Sequence, residues 1–71
     1  MDSIKVGARL KRLRENTGEL QSDVSNAVGV TQQAICHYEA GDRTPKDDTK
    51  IKYAKHYGVS VSEIFYNPED Q

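Results

Sequence analysis

The sequence predicts an all-α domain built from five short helices. Apolar residues recur at spacings of three and four along most of the chain, which is typical of helices with one buried face. Glycines follow four of the apolar segments, where helices commonly end; they are Gly18, Gly29, Gly41 and Gly58. No segment alternates apolar and polar residues as a half-buried strand would.

The first helix is expected from Ser3 to Asn16, with Asp2 or Ser3 as its N-cap. Its apolar face would be formed by four aliphatic residues: Ile4, Val6, Leu10 and Leu13. Arg9 and Arg12 would lie on a solvated face. The stop signals that follow are Asn16, Thr17 and Gly18.

The second and third helices are expected from about Leu20 to Val28 and from Gln32 to Ala40, with Gly29 and Val30 between them. Thr31 is a good N-cap for the third helix, because its hydroxyl can accept a hydrogen bond from an otherwise unpaired helix N–H. The inward side of that helix would carry Ala34, Ile35 and Tyr38. Helix, glycine-containing turn and helix together have the sequence form of a helix-turn-helix.

The fourth helix is expected to start near Asp47 or Asp48, either of which can cap it, and to end before Gly58. Its apolar side would be formed by Ile51, Ala54 and Tyr57, with Tyr53 as a further candidate. The fifth helix carries Val61, Ile64 and Phe65, and the spacing of Ser60 and Glu63 before it is a capping-box pattern.

The domain would therefore span residues 1–66. Residues 67–71 contain Pro68 and two acids without periodicity, so we expect a frayed acidic tail there.

Composition excludes several classes of function. The 71 residues make one small domain, without an apolar run of membrane-spanning length and without a signal-peptide pattern at the start, so a cytoplasmic protein is expected. Cys36 is the single cysteine, and with two histidines it cannot supply the four ligands of structural zinc. We expect no metal, no cofactor and no catalytic site, since no nucleophile–base set is recognisable.

Charge is distributed unevenly along the chain, which carries a net charge of −1. Residues 1–18 hold five Lys and Arg against two acids, whereas residues 19–45 hold Arg43 against four acids. The predicted helix-turn-helix segment is thus the acidic part of the chain. Its attraction for phosphate, which supplies most non-specific DNA affinity, should be weak.

Gln32 and Gln33 stand at the start of the third helix, where a docked helix reaches base edges. A glutamine side chain offers a donor and an acceptor that match N7 and N6 of adenine in the major groove. Free N–H groups at a helix start also favour phosphate. This segment makes DNA binding the first hypothesis.

The chain resembles the helix-turn-helix domains of the lambdoid repressor/Cro type, the XRE family, over about residues 4–66. The resemblance is carried by Gln21, by the run Gly29 to Ile35, by Tyr38-Glu39-Ala40-Gly41 with Pro45, and by the run Ala54 to Ser60 followed by Glu63-Ile64-Phe65. It implies a lambda-repressor-like fold of five helices, with the third helix in the major groove of operator DNA. Phage or bacterial regulators of this type are usually repressors.

The resemblance also implies the site residues. Gln21 would contact a phosphate, the residues Thr31, Gln32 and Gln33 would form the start of the recognition helix, and His37 would face DNA. Arg43, in the loop that follows, is a plausible backbone contact. Arg14 and Glu39 match a family pair that ties the first helix to the third.

Several residues depart from the family pattern: Glu19, Leu20, Ser25, Asp42, Asp47 and Lys50. They put the start of the second helix, the packing of the fourth and the DNA affinity in question. An alternative is therefore a modulator or antirepressor that acts mainly by binding a second regulator protein.

Assembly is the remaining question. A regulator of this kind would bind a palindromic operator as a dimer, because one recognition helix contacts few bases. A possible dimer seam is formed by Val61, Ile64, Phe65 and Tyr66; otherwise these residues close the core.

Overall fold

The computed structural model describes residues 2–70, and within them all regular structure is helical. The elements are α1 (Ser3–Thr17), α2 (Gln21–Val28), α3 (Gln32–Ala40), α4 (Asp47–Tyr57), α5 (Val61–Phe65) and a 3₁₀ turn at Pro68–Asp70. The five α-helices are those that the sequence predicts. No helix within residues 2–70 combines the length and the apolar character needed to cross a bilayer.

The core lies where all five helices meet. Its largest fully buried side chains are Tyr53, Phe65, Leu10, Ile35, Ile64, Val24 and Val28. Tyr53 packs edge-on against both Tyr38 and Phe65, with ring centroids 6.3 and 6.2 Å apart. α3 is therefore held from behind by aromatic side chains of α4 and α5.

Three N-caps follow the sequence prediction. The Asp2 carboxylate accepts from the N–H groups of Ile4 and Lys5, at 3.0 and 3.2 Å. The hydroxyls of Thr31 and Ser60 each accept, at 3.1 Å, from the N–H three residues on. α2 starts differently, because Leu20 has no side-chain acceptor and Asp23 instead accepts from the Leu20 N–H at 2.8 Å.

The prediction for α4 was wrong in its cap and partly wrong in its apolar side. The N-cap position is Lys46, whose side chain makes no capping bond. Ile51 is 48% exposed, and Tyr53 takes the buried place on this helix. α4 packs mainly on α2 and α5, and Ile51 lies on the part of its surface that faces solvent.

Ile4 is a similar correction in α1, since it is 72% exposed instead of buried. It lies beside the loop after α3, where a Cβ on Gly41 would come within 2.9 Å of the Ile4 Cα. The backbone of Ile4 therefore packs closely against the end of α3, while its side chain stays in solvent.

The expected frayed tail is also corrected, because the structure orders residues 67–70. The amide of Asn67 donates to the Glu63 carbonyl at 3.2 Å, and its side-chain oxygen accepts from the Glu69 N–H at 3.0 Å. The carboxylate of Asp70 accepts two hydrogen bonds from the Arg9 guanidinium, at 2.7 and 3.2 Å. Arg9 is thus an anchor and not simply a solvated residue. Residue 71 lies outside the described residues.

Gly7 sets the distance between α1 and α3, the helix pair with the most extensive contact. A Cβ at this position would lie 2.5 Å from the Glu39 carbonyl oxygen and 2.6 Å from that of Tyr38. Only a residue without a side chain permits this approach, and the approach is what brings Arg14 of α1 within reach of Glu39.

Candidate nucleic-acid interface

The turn between α2 and α3 is fixed by backbone hydrogen bonds. Gly29 has a φ of 75°, in the left-handed region that glycine adopts most readily. Its N–H and that of Val30 both donate to the Ser25 carbonyl, at 2.9 and 3.1 Å. Val30 then packs against the core, and the chain enters α3 at Thr31 in a defined direction.

α3 presents a polar face to solvent, formed by Gln32, Gln33, Cys36, His37 and Ala40. The two glutamines, Cys36 and Ala40 are exposed, and His37 is half-buried. The opposite side of the helix is anchored in the core by Ile35 and Tyr38. The two predicted reading residues therefore project from the first turn of a firmly held helix.

An ion-pair cluster lies beside this face. The guanidinium of Arg14 donates to both carboxylate oxygens of Glu39, at 2.7 and 3.0 Å, and also to the Glu19 carbonyl at 3.1 Å. The Glu39 side chain is 5% exposed. Hydrogen bonding to Glu39 raises the pKa of Arg14 above its ordinary value. The family pair implied by the sequence thus links α1, the α1–α2 loop and α3.

Gln21 lies in the same cluster. Its amide nitrogen donates to Glu39 at 3.2 Å, although the resemblance assigned this residue to a phosphate. The amide nitrogen carries two hydrogens, so one N–H remains that Glu39 does not use. Glu39 therefore fixes the orientation of Gln21 at the start of α2.

Lys11 is a residue of this region that the sequence reasoning missed. A surface groove of about 260 Å³ between α1, α2 and α3 is lined by Lys11, Arg14, Gln21, Cys36, Glu39 and Ala40. Lys11 and Arg14 are three residues apart and so share one side of α1. The sequence signal for Lys11 is this three-residue spacing. Because the pair of Arg14 and Glu39 turns one side of α1 towards α3, a cation on that side also lies near α3.

His37 lies in the C-terminal half of the polar face, and Arg43 follows in the loop after α3. The His37 Nδ1 lies 3.4 Å from the Asp42 carboxylate, and the Asp42 N–H donates to the His37 carbonyl at 3.0 Å. The C-cap turn of α3 thus holds Asp42 beside the histidine ring. Arg43 is exposed in the loop before α4.

A second cluster supports the start of α2 from behind. The Glu19 carboxylate accepts from Thr17 at 2.5 Å and lies 2.6 Å from the His56 Nε2 of α4. Burial alone would raise the pKa of this carboxyl, but hydrogen bonds from Thr17 and His56 bring it below its ordinary value. The departure from the family at Glu19 therefore has a structural role.

The four seam residues do not share one surface. Ile64 and Phe65 are 1% and 0% exposed, so the expectation of a seam is wrong for these two, which close the core. Val61 packs partly against the same core, and Tyr66 is 52% exposed. The Tyr66 hydroxyl accepts from Lys50 at 2.8 Å, which gives this buried lysine a polar partner.

Cys36 is an exposed free thiol on the polar face of α3. Among the described residues, no three His, Cys, Asp or Glu side chains come together as metal ligands would.

Comparison with protein families gives a match to a helix-turn-helix domain over residues 5–64. This range contains the turn at Gly29, the polar face of α3 and the Arg14–Glu39 pair.

Two curated relatives are similar over most of this chain. The cryptic phage CTXphi transcriptional repressor RstR of Vibrio cholerae is 34% identical over 87% of the chain and 56% of its own length. The HTH-type transcriptional regulator PuuR of Escherichia coli K12 is 34% identical over 96% of the chain and 37% of its own length. The chain thus spans only about half or less of these two proteins.

A solved structure matches over nearly its whole length. The restriction-modification controller protein C.AhdI from Aeromonas hydrophila superposes with a TM-score of 0.83 at 26% identity, covering 90% of this chain and 97% of that one.

Proposed function

The chain belongs to the helix-turn-helix domain family, and we propose that it is a transcriptional regulator that binds double-stranded operator DNA with α3 in the major groove. Its relatives carry the names of transcriptional repressors and regulators. Family membership supports the DNA-binding role, and the residues of the polar face support the way in which the DNA is read.

The observation that carries the proposal is the geometry of Gln32 and Gln33. Both side chains are exposed in the first turn of a helix whose start is fixed by the Thr31 hydroxyl. The N-terminal residues of a recognition helix are those that reach base edges. Two glutamines there would favour adenine, through paired hydrogen bonds to N6 and N7.

Phosphate contacts would come from the borders of the polar face. Gln21 and Lys11 line the groove beside it, while Arg43 is exposed in the loop after α3. His37 lies between them and would contact a base or a phosphate. Phosphate contacts of this kind fix register, and the base contacts of α3 would supply specificity.

We propose further that two copies bind a palindromic site with half-sites about 34 Å apart, one turn of the duplex. Val61 and Tyr66 are the seam residues that remain accessible for pairing.

Selection of DNA from a random library, followed by a binding titration over a salt series, tests the proposal. A palindromic consensus with adenines at corresponding half-site positions, bound by two copies, is the expected result. Recovery of unrelated sequences, with no enrichment over the starting library, would contradict it.

A second candidate function is favoured by one observation: the polar face of α3 contains no Lys or Arg, and Asp42 lies beside it. Such a face could contact a basic surface of a second regulator, as a modulator or antirepressor would. The same titration, repeated in the presence of a second regulator protein, separates the two. Tight binding to that protein without DNA binding would replace the first proposal.

A further inference from the structure

A second basic surface lies on the other side of α1. Lys5, Ala8, Arg9 and Arg12 line a groove of about 320 Å³, which we call the α1 groove, and Glu69 with Asp70 form its opposite wall. None of these residues borders the polar face of α3. The family resemblance assigns no role to this surface.

The α1 groove already holds a carboxylate. Both guanidinium ends of Arg9 donate to Asp70, at 2.7 and 3.2 Å, in a forked geometry. One of these nitrogens also donates to the Ile64 carbonyl at the end of α5. The Asp70 side chain is 4% exposed, so the groove encloses the group that it binds. A forked Arg–carboxylate pair is among the stronger and more directional hydrogen-bonded contacts.

The α1 groove contains further cations besides Arg9. Lys5 is exposed, and so is Arg12; within residues 2–70 neither side chain forms a hydrogen bond or ion pair. Among residues 2–70, three cations therefore face two carboxylates in this groove. An acidic segment of three or more carboxylates would meet more positive charge than residues 67–70 use.

The α1 groove and the polar face can be occupied together. At 100° per residue, Lys5, Arg9 and Arg12 point roughly 150° away from Lys11 and Arg14 around the helix axis. A protein held in the groove would sit behind DNA-bound α3. A peptide carboxylate has the same geometry as the Asp70 carboxylate, so it can take the place of that group on Arg9.

We propose that the α1 groove is a docking site for an acidic segment of a partner protein, which displaces residues 67–70 from Arg9. The proposal goes beyond DNA binding and does not depend on it.

Titration of the ¹⁵N-labelled chain with an acidic hexapeptide of alternating Glu and Asp tests the proposal by amide chemical shifts. The shifts should concentrate in α1 between Lys5 and Arg12. Asp70→Asn removes the competing negative charge from Arg9, so this variant should bind the peptide about fivefold more tightly than the original chain. The neutral peptide of alternating Gln and Asn should produce no shifts.

Arg9→Gln should abolish peptide binding, and Arg12→Gln should weaken it about fivefold while leaving the bond to Ile64 intact. Lys55→Gln removes an exposed cation from α4 and should change nothing. The proposal is overturned if Asp70→Asn shows no shifts in α1, if Arg12→Gln binds as tightly as the original chain, or if the neutral peptide acts equally. It is also overturned if duplex DNA shifts the α1 amides and the peptide leaves them unchanged. Shifts of the α3 amides with the same DNA would show that the DNA-binding proposal stands independently.

Discussion

At the residue scale, Glu39 joins the structural and the functional parts of the molecule. It accepts from Arg14 of α1 and from Gln21 of α2, while its own helix carries the polar face. Its side chain is nearly buried, so both contacts are made in a partly desolvated place. Loss of the carboxylate would leave the Arg14 guanidinium without its main partner and would free the Gln21 amide.

Glu39→Ala should lower the free energy of unfolding by about 3 kcal/mol, because removing one partner of a buried ion pair costs about 3–5 kcal/mol. Urea unfolding measures this value. Glu15→Ala removes an exposed acid from α1 and is the matched control, with an expected change within about 0.5 kcal/mol. Equal effects of the two substitutions would show that the cluster adds nothing to stability.

Glu19 gives a prediction about pH. Its pKa in the folded chain lies below the ordinary value of 4.5, so its stabilising effect is present above that pH and is lost as the pH falls through the lowered pKa. Glu19→Gln should therefore destabilise the fold at pH 7 by about 1 kcal/mol, with a smaller difference from the original chain at pH 3. Urea unfolding at both pH values measures the two differences. A difference that stays constant or grows on acidification would contradict the assignment.

At the element scale, α3 was the most predictable part of the chain. Its bounds, its Thr31 cap and the exposure of Gln32 and Gln33 could all be predicted, since each depends on local pattern and helix-end chemistry. The roles of these residues in binding DNA are still predictions. The glycine that ends each of α1 to α4 was equally visible in the sequence.

The faces of α1 and α4 were less predictable. Helical periodicity shows which residues share a side, but it does not show whether another element covers that side. Ile4 and Ile51 both fit an apolar pattern, yet they lie where no helix packs on them. Gly7 gave no signal either, because its importance comes from the backbone of α3, more than 30 residues later.

Gly7→Ala tests the contact between α1 and α3. Alanine is favoured over glycine inside a helix by about 1 kcal/mol, so local propensity alone predicts a more stable protein. The clash of its Cβ with two carbonyl oxygens of α3 should instead lower stability by about 1–3 kcal/mol. Thermal unfolding measures the sign of the change in stability. A higher unfolding midpoint for Gly7→Ala would contradict the close packing of α1 against α3.

At the scale of the whole molecule, contacts between distant parts of the chain determine which segments are ordered, which local sequence pattern does not show. Arg9 and Asp70 are 61 residues apart, and their pairing orders a segment that composition alone marks as frayed. The basic residues of α1 thus belong to two surfaces, the α1 groove and the groove beside α3. Few cations are left near α3, in agreement with the acidic charge of residues 19–45.

This distribution predicts a shallow salt dependence of DNA binding. Lys11 and Arg43 are the cations to which the proposal assigns phosphate contacts, so each copy should neutralise about two phosphates. The slope of log K against log salt should then be roughly −2 per copy. A fluorescence-anisotropy titration between 50 and 300 mM salt measures it, and a slope steeper than about −5 per copy would mean that further cations, such as those of the α1 groove, contact DNA.

The most direct test of the central claim, that α3 reads DNA bases through its first turn, compares Gln33→Ala with Asn26→Ala. Both truncate an exposed amide on a helix, but Asn26 lies in α2, away from the polar face. Each variant is titrated against the selected operator and against copies in which a single base pair of the half-site is changed. Gln33→Ala should lose about 1–3 kcal/mol of discrimination at one half-site position, and Asn26→Ala should keep the original preference. An unchanged preference in Gln33→Ala would contradict the claim.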